Sequence, residues 1–161
     1  MSYDAEASSV NSVSSEVKGS FLTRYPVKLE IPFDSNYFLK NGVKILFSAN
    51  GELKSKFVST FNDISIPLES VMKAIGANYE FNNASKKITI TFMGNKYEHW
   101  VGQNKALLNG TAIPLVPEHP EIRSFMGENE PLVPLSAIAY AFKLTYNMDS
   151  TKQIAYLNYL P

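Results

Sequence analysis

The chain has 161 residues, 45% hydrophobic and 19% charged, enough apolar material for one core or two small fused ones. Lys plus Arg equals Asp plus Glu at 15 each, and no basic cluster stands out, which argues against nucleic acid or an anionic membrane surface as partner. The absence of cysteine excludes a disulfide framework and a thiol nucleophile, and no apolar run is long enough to span a bilayer.

Residues 1–20 are rich in serine, with Val10, Val13 and Val17 set among polar neighbours, the composition of a flexible arm. Met1–Glu6 has neither the basic start nor the apolar stretch of a signal peptide. A surface location therefore implies a signal removed from this chain or another route. Residues 21–42 hold a strand: Tyr25, Val27, Leu29, Ile31 and Phe33 alternate strictly, giving one buried face. Pro26 and Pro32 restrict it to an edge or to positions whose N–H faces outward. An edge strand can complete its own sheet or that of a neighbouring molecule.

Residues 43–93 form a first unit. It opens with Val43–Phe47, and Asn50-Gly51 has the composition of a hairpin turn. After Pro67, apolar residues at Leu68, Val71, Met72 and Ile75 mark one face of a short helix that Gly76 can end. Two alternating segments follow, through Ala77, Tyr79 and Phe81 and through Ile88, Ile90 and Phe92, joined by the turn-rich Asn82–Lys86.

Residues 94–161 repeat the pattern. VPLSAIAYAFKLTYNMDSTKQIAY at Val133–Tyr156 matches IPLESVMKAIGANYEFNNASKKITI at Ile66–Ile90, with one residue lost from the turn. Leu135, Ile138, Ala139 and Phe142 form the second helix face, and Lys143 stands where the first copy has Gly76. Leu144, Tyr146 and Met148, then Ile154 and Tyr156, give the strands. Residues 115–130 read as a loop inserted into this second unit, a natural place for a binding surface. The expected fold is α+β: two tandem related units, each a short helix packed on antiparallel strands, preceded by an N-terminal strand.

The ordered set Gly94-Asn95-Lys96, Trp100-Val101, Leu108-Asn109-Gly110, Ile113-Pro114-Leu115 and Leu132-Val133-Pro134-Leu135, echoed in the first copy, resembles the copper amine oxidase N-terminal-domain-like, or stalk, repeat across Val43–Tyr159. The Arg that often follows the Pro-Leu pair in that family is Glu69 here in one copy and Ser136 in the other. The resemblance implies a small appendage separate from any catalytic domain, carried by exported or wall-associated proteins of Gram-positive bacteria. It thus implies an extracellular or cell-surface location, a binding, spacing or assembly role, and no enzymatic activity.

The residues themselves agree. His99 and His119 are the only histidines, too few for a trihistidine copper site. Glu118, His119, Glu121, Glu128 and Glu130 match no metal-ligand spacing, and no nucleophile-elbow or phosphate-cradling motif occurs. No cofactor is expected. Three functions remain in order: a non-catalytic module acting through protein contact, with self-association by N-terminal strand addition; a module binding wall glycan or another carbohydrate; and a small metal-dependent hydrolase centred on Glu118–Glu130. The candidate interaction surface is Tyr25, Val27, Leu29, Ile31, Trp100, His119, Glu121 and Phe125. Strand aromatics are ordinarily core or cross-strand pairs, so exposure of Trp100 is the observation that favours the glycan.

Overall fold

The computed structural model describes residues 26–160. Tyr25 and the Ser-rich arm lie outside the described residues. Among the described residues the fold is α+β, with every strand pair antiparallel and two short helices. In chain order the strands are β1 (Val27–Pro32), β2 (Tyr37–Lys40), β3 (Val43–Leu46), β4 (Lys56–Val58) and β5 (Asp63–Pro67). Helix α1 (Leu68–Ala74) precedes β6 (Asn78–Asn82), β7 (Lys87–Phe92), β8 (Asn95–Trp100), β9 (Lys105–Leu108) and β10 (Thr111–Pro114). Then come β11 (Phe125–Met126), β12 (Pro131–Pro134), α2 (Leu135–Phe142), β13 (Thr145–Asp149) and β14 (Ile154–Tyr159).

Three sheets result. Two are five-stranded, in the orders β13-β14-β1-β2-β3 and β6-β7-β8-β9-β10, and a four-stranded sheet runs β11-β12-β5-β4. Strand β1 is central rather than an edge: Leu29 faces Leu157 of β14 on one side and Lys40 of β2 on the other. Its prolines permit this because Pro26 precedes the strand and Pro32 ends it, so neither removes an N–H from the middle of the ladder. Val27, Leu29 and Ile31 point inward and are buried.

The hairpin that extends β1 turns at Asn41-Gly42, both with positive φ, and the equivalent turn between β9 and β10 is Asn109-Gly110. Two consecutive left-handed residues define the turn type whose twist matches paired strands, and Asn-Gly suits it. In each case the Asn side-chain oxygen accepts an N–H at 2.8 Å, from Lys28 in one sheet and Lys96 in the other. Asn50-Gly51, expected as a hairpin turn, instead lies between β3 and β4, which belong to different sheets. There Asn50 is tied locally, its side-chain oxygen accepting from the Ser48 hydroxyl and the Glu52 N–H.

Both helices follow the periodicity. Leu68, Val71 and Met72 of α1 and Leu135, Ile138 and Phe142 of α2 are buried, with Pro67 and Pro134 at the N-caps. Gly76 (φ 87°) ends α1, with the Ala77 N–H donating to the Met72 carbonyl and the Gly76 N–H to that of Lys73. Lys143 takes the same left-handed conformation at φ 56°, and the Leu144 N–H donates to the Ala139 carbonyl. Helix α2 thus keeps the cap without the glycine. One core runs through all three sheets, from Leu29, Ile31 and Phe38 through Ile64 and Ile66 to Ile88, Ile90 and Tyr97, with both helices packed into it.

Residues 115–130, read as a loop, pack into this core. Leu115, Val116, Ile122 and Ser124 are buried, and Phe125–Met126 adds β11 to the middle sheet. The segment equals in length the 47–62 connection between β3 and β5.

Candidate functional site

The eight residues expected at an interaction surface separate. Val27, Leu29 and Ile31 belong to the core. Phe125 is 38% exposed on the edge strand β11, with the Lys56 ammonium 5.9 Å from its ring centre. His119 and the exposed Glu121 form a pair at 3.6 Å. Trp100 is on the last position of β8 and is partly exposed.

Alternation along β8 explains the Trp100 position. Tyr97 and His99 turn inward and are buried; Glu98 and Trp100 turn outward. His99 fixes the strand end. Its Nδ1–H donates to the Lys105 carbonyl (2.8 Å), which leaves Nε2 to accept the Ser124 hydroxyl (2.5 Å), and Ser124 Oγ accepts the Gly102 N–H (3.1 Å). Burial pushes the imidazole pKa below its ordinary value, against the opposing pull of the Lys105 carbonyl. His99 is thus a neutral structural residue that ties β8 to β9 and to the 115–130 segment. Trp100 borders a groove of about 550 Å³ lined by Ser85, Lys86, Gln103, Lys105 and Leu107. The Lys87 ammonium lies 5.1 Å from its ring centre and is also paired with Glu98 at 2.7 Å.

A second groove, about 630 Å³, is lined by Phe61, Asp63, Glu118, His119, Ser136, Tyr140 and Tyr146. At its base Asp63 is buried. Its carboxylate accepts the Ile64 N–H (2.7 Å), the Tyr146 hydroxyl (2.9 Å) and the Ser136 hydroxyl. Burial first, then the Asp63 charge and the bond to it, raise the Tyr146 pKa and keep the phenol protonated. With three donors engaged, Asp63 joins β5 to α2 and β13. Both Ser136 and Tyr146 donate their hydroxyl protons to this carboxylate.

At the corresponding place beside α1, Glu130 and Glu69 are neighbours of Tyr79. Burial, then the Glu69 charge, raise the Glu130 pKa, although the Glu69 N–H donates to it. Burial, Glu130 and Glu69 raise that of Tyr79, whose buried hydroxyl has no partner among the described residues. Glu69 also pairs with Lys73 one helical turn on, at 3.0 Å. Among the described residues, no three His, Cys, Asp or Glu side chains gather as metal ligands would. Nor is any helix long and apolar enough to cross a membrane.

Sequence reasoning missed Asp63, because its partners Ser136 and Tyr146 are 73 and 83 residues away. It missed Lys86 and Lys105 because they belong to separate strand ends. The period-two pattern of β8 was the available signal, since it puts Trp100 outward once Tyr97 is taken as core.

The described residues form a module of two short helices and antiparallel sheets whose buried polar groups Asp63 and His99 are engaged by neighbouring side chains and backbone. The chain belongs to the family described as the copper amine oxidase N-terminal domain, which matches residues 49–157. That family is a non-catalytic part of amine oxidases. A search of the curated proteins finds no match.

Proposed function

We propose that this chain is a non-catalytic cell-surface module that acts through protein contact, built from two related units and self-associating by strand addition. The family membership supports the non-catalytic reading. The shared strand order of the two five-stranded sheets and the matching Asn41 and Asn109 turns support duplication, with β1 in the role of β8.

The observation that carries the contact reading is β3. Its outer edge has no strand partner among the described residues, and Val43 is 64% and Leu46 39% exposed on it. An unpaired apolar edge is a template for an added strand. The occupant is the N-terminal arm of a second copy, added through backbone pairing. Strand β1 itself is paired on both sides and is the anchor from which the arm leaves, not the donated strand. Val43→Lys with Leu46→Lys tests this: self-association should be lost while the cooperative melt is kept. Unchanged association in the folded double variant would contradict the assignment of β3.

A second reading, glycan binding, is favoured by the partial exposure of Trp100 over its groove.

A further inference from the structure

We propose that the Trp100 groove binds an acidic sugar residue within a glycan, an inference that rests on the glycan-binding reading. Three observations converge on that chemistry.

The first is the ring. Trp100 stands outward beside its cross-strand partner Lys87, and its indole borders a groove that also contains Leu107. The face of an indole is electronegative, so it attracts the polarised C–H bonds along the flat side of a pyranose. A groove of about 550 Å³ has the size of an ordinary small-ligand site and takes one or two rings.

The second is charge. Lys86 and Lys105 line the groove, and no acidic side chain does. Glu98, which shares the outward face of β8 with Trp100, is already engaged by Lys87 at 2.7 Å and Lys96 at 3.8 Å. Lys86 spends one donor on Asn83 (2.6 Å), leaving others for a ligand. A chain of zero formal charge thus presents a local positive excess around its single tryptophan. Lysine binds carboxylate or phosphate as a point charge without demanding one geometry, and either group on a sugar would satisfy it.

The third is rigidity. His99 and Ser124 lock the end of β8 from the buried side, so the ring is held by a sheet rather than by a loop. Ser85 and Gln103 add hydroxyl and amide groups at the rim suited to sugar hydroxyls. A nucleic-acid strand would call for several successive stacking rings along a basic track, and this groove has one ring.

Because Trp100 is the only tryptophan, its fluorescence reports directly on the site. The full chain is titrated with polygalacturonate, a phosphomannan, neutral cellohexaose and an oligothymidylate, and each affinity is repeated by calorimetry. Saturable binding of polygalacturonate or phosphomannan is expected, and the stronger of the two identifies carboxylate or phosphate as the charged group. Trp100→Ala should weaken it at least about tenfold, as loss of a buried aromatic anchor does. Lys105→Gln, which leaves the ring in place, should weaken it about threefold, and added salt should do the same. Equal binding of cellohexaose, insensitive to Lys105→Gln and to salt, would overturn the acidic-sugar inference while leaving glycan binding standing. Failure of every glycan with a folded chain would overturn both, and binding of the oligothymidylate alone would replace them.

Discussion

Ile66 and Val133, the first residues of the two similar sequence stretches, are direct cross-strand partners in the middle sheet. Around them Pro67 faces Leu132 and Ser65 faces Pro134, so β5 and β12 meet as if related by a two-fold axis through that pair. Both residues are fully buried. Ile66→Ala should cost about 3 kcal/mol and Val133→Ala about 2 kcal/mol of unfolding free energy, from lost burial plus the cavity left behind. As neighbours, the double variant should depart from additivity by about 0.5 kcal/mol or more, which a denaturant-melt cycle measures.

The cap of α2 offers a gain. Lys143 occupies a left-handed conformation that Gly76 adopts at the end of α1 without a Cβ penalty. Lys143→Gly is expected to raise stability by about 0.5–1 kcal/mol, the relief of strain exceeding the added freedom of the unfolded chain. A lowered melting temperature would mean that the Lys143 side chain contributes more than its backbone costs.

His99 sets a pH dependence. Its folded pKa lies below the unfolded value of about 6.5, so below that pH the unfolded chain takes up a proton that the folded chain refuses. Its contribution is complete above about pH 6.5 and is lost as pH falls toward the folded pKa. His99→Gln should flatten the fall in melting temperature between about pH 6.5 and 5 relative to the unsubstituted chain.

Glu130 acts in the opposite sense. Its folded pKa is raised, so the folded chain holds the proton more tightly and stability from this group is lost as pH climbs through the folded value. Glu130→Gln should leave the melt unchanged near pH 4 and raise the melting temperature at pH 7. Glu69→Gln should give a smaller change of the same sign, since Glu69 also loses its pair with Lys73. Thermal melts of the three chains across pH check the crossover.

Much of this fold is legible in the sequence because its signals are local. Helical apolar spacing gives α1 and α2, and period-two spacing gives β1 and β7 with the correct residues inside. In β14 the buried residues are Ala155 and Leu157 rather than Ile154 and Tyr156, because the small Ala155 hides the inward phase. Strand neighbours are another matter. Alternation in Val27–Pro32 reveals a buried face but not whether one or two strands flank it, and β14 arrives from the far end of the sequence. The density of Pro and Glu in residues 115–130 reads as solvent-facing, yet Leu115, Val116 and Ile122 carry the backbone inward between those polar residues. Trp100 was visible as a candidate, whereas the lysines around its groove come together only when β7, β8 and β9 are paired.

The most direct test of the interaction role is the mass in solution of the full chain and of a chain lacking Met1–Ser20, by light scattering over a concentration series. The account predicts that the full chain grows with concentration and that the shortened chain is a monomer with an intact cooperative melt, since the described core lies wholly within residues 26–160. Monomers in both cases would contradict strand addition between copies.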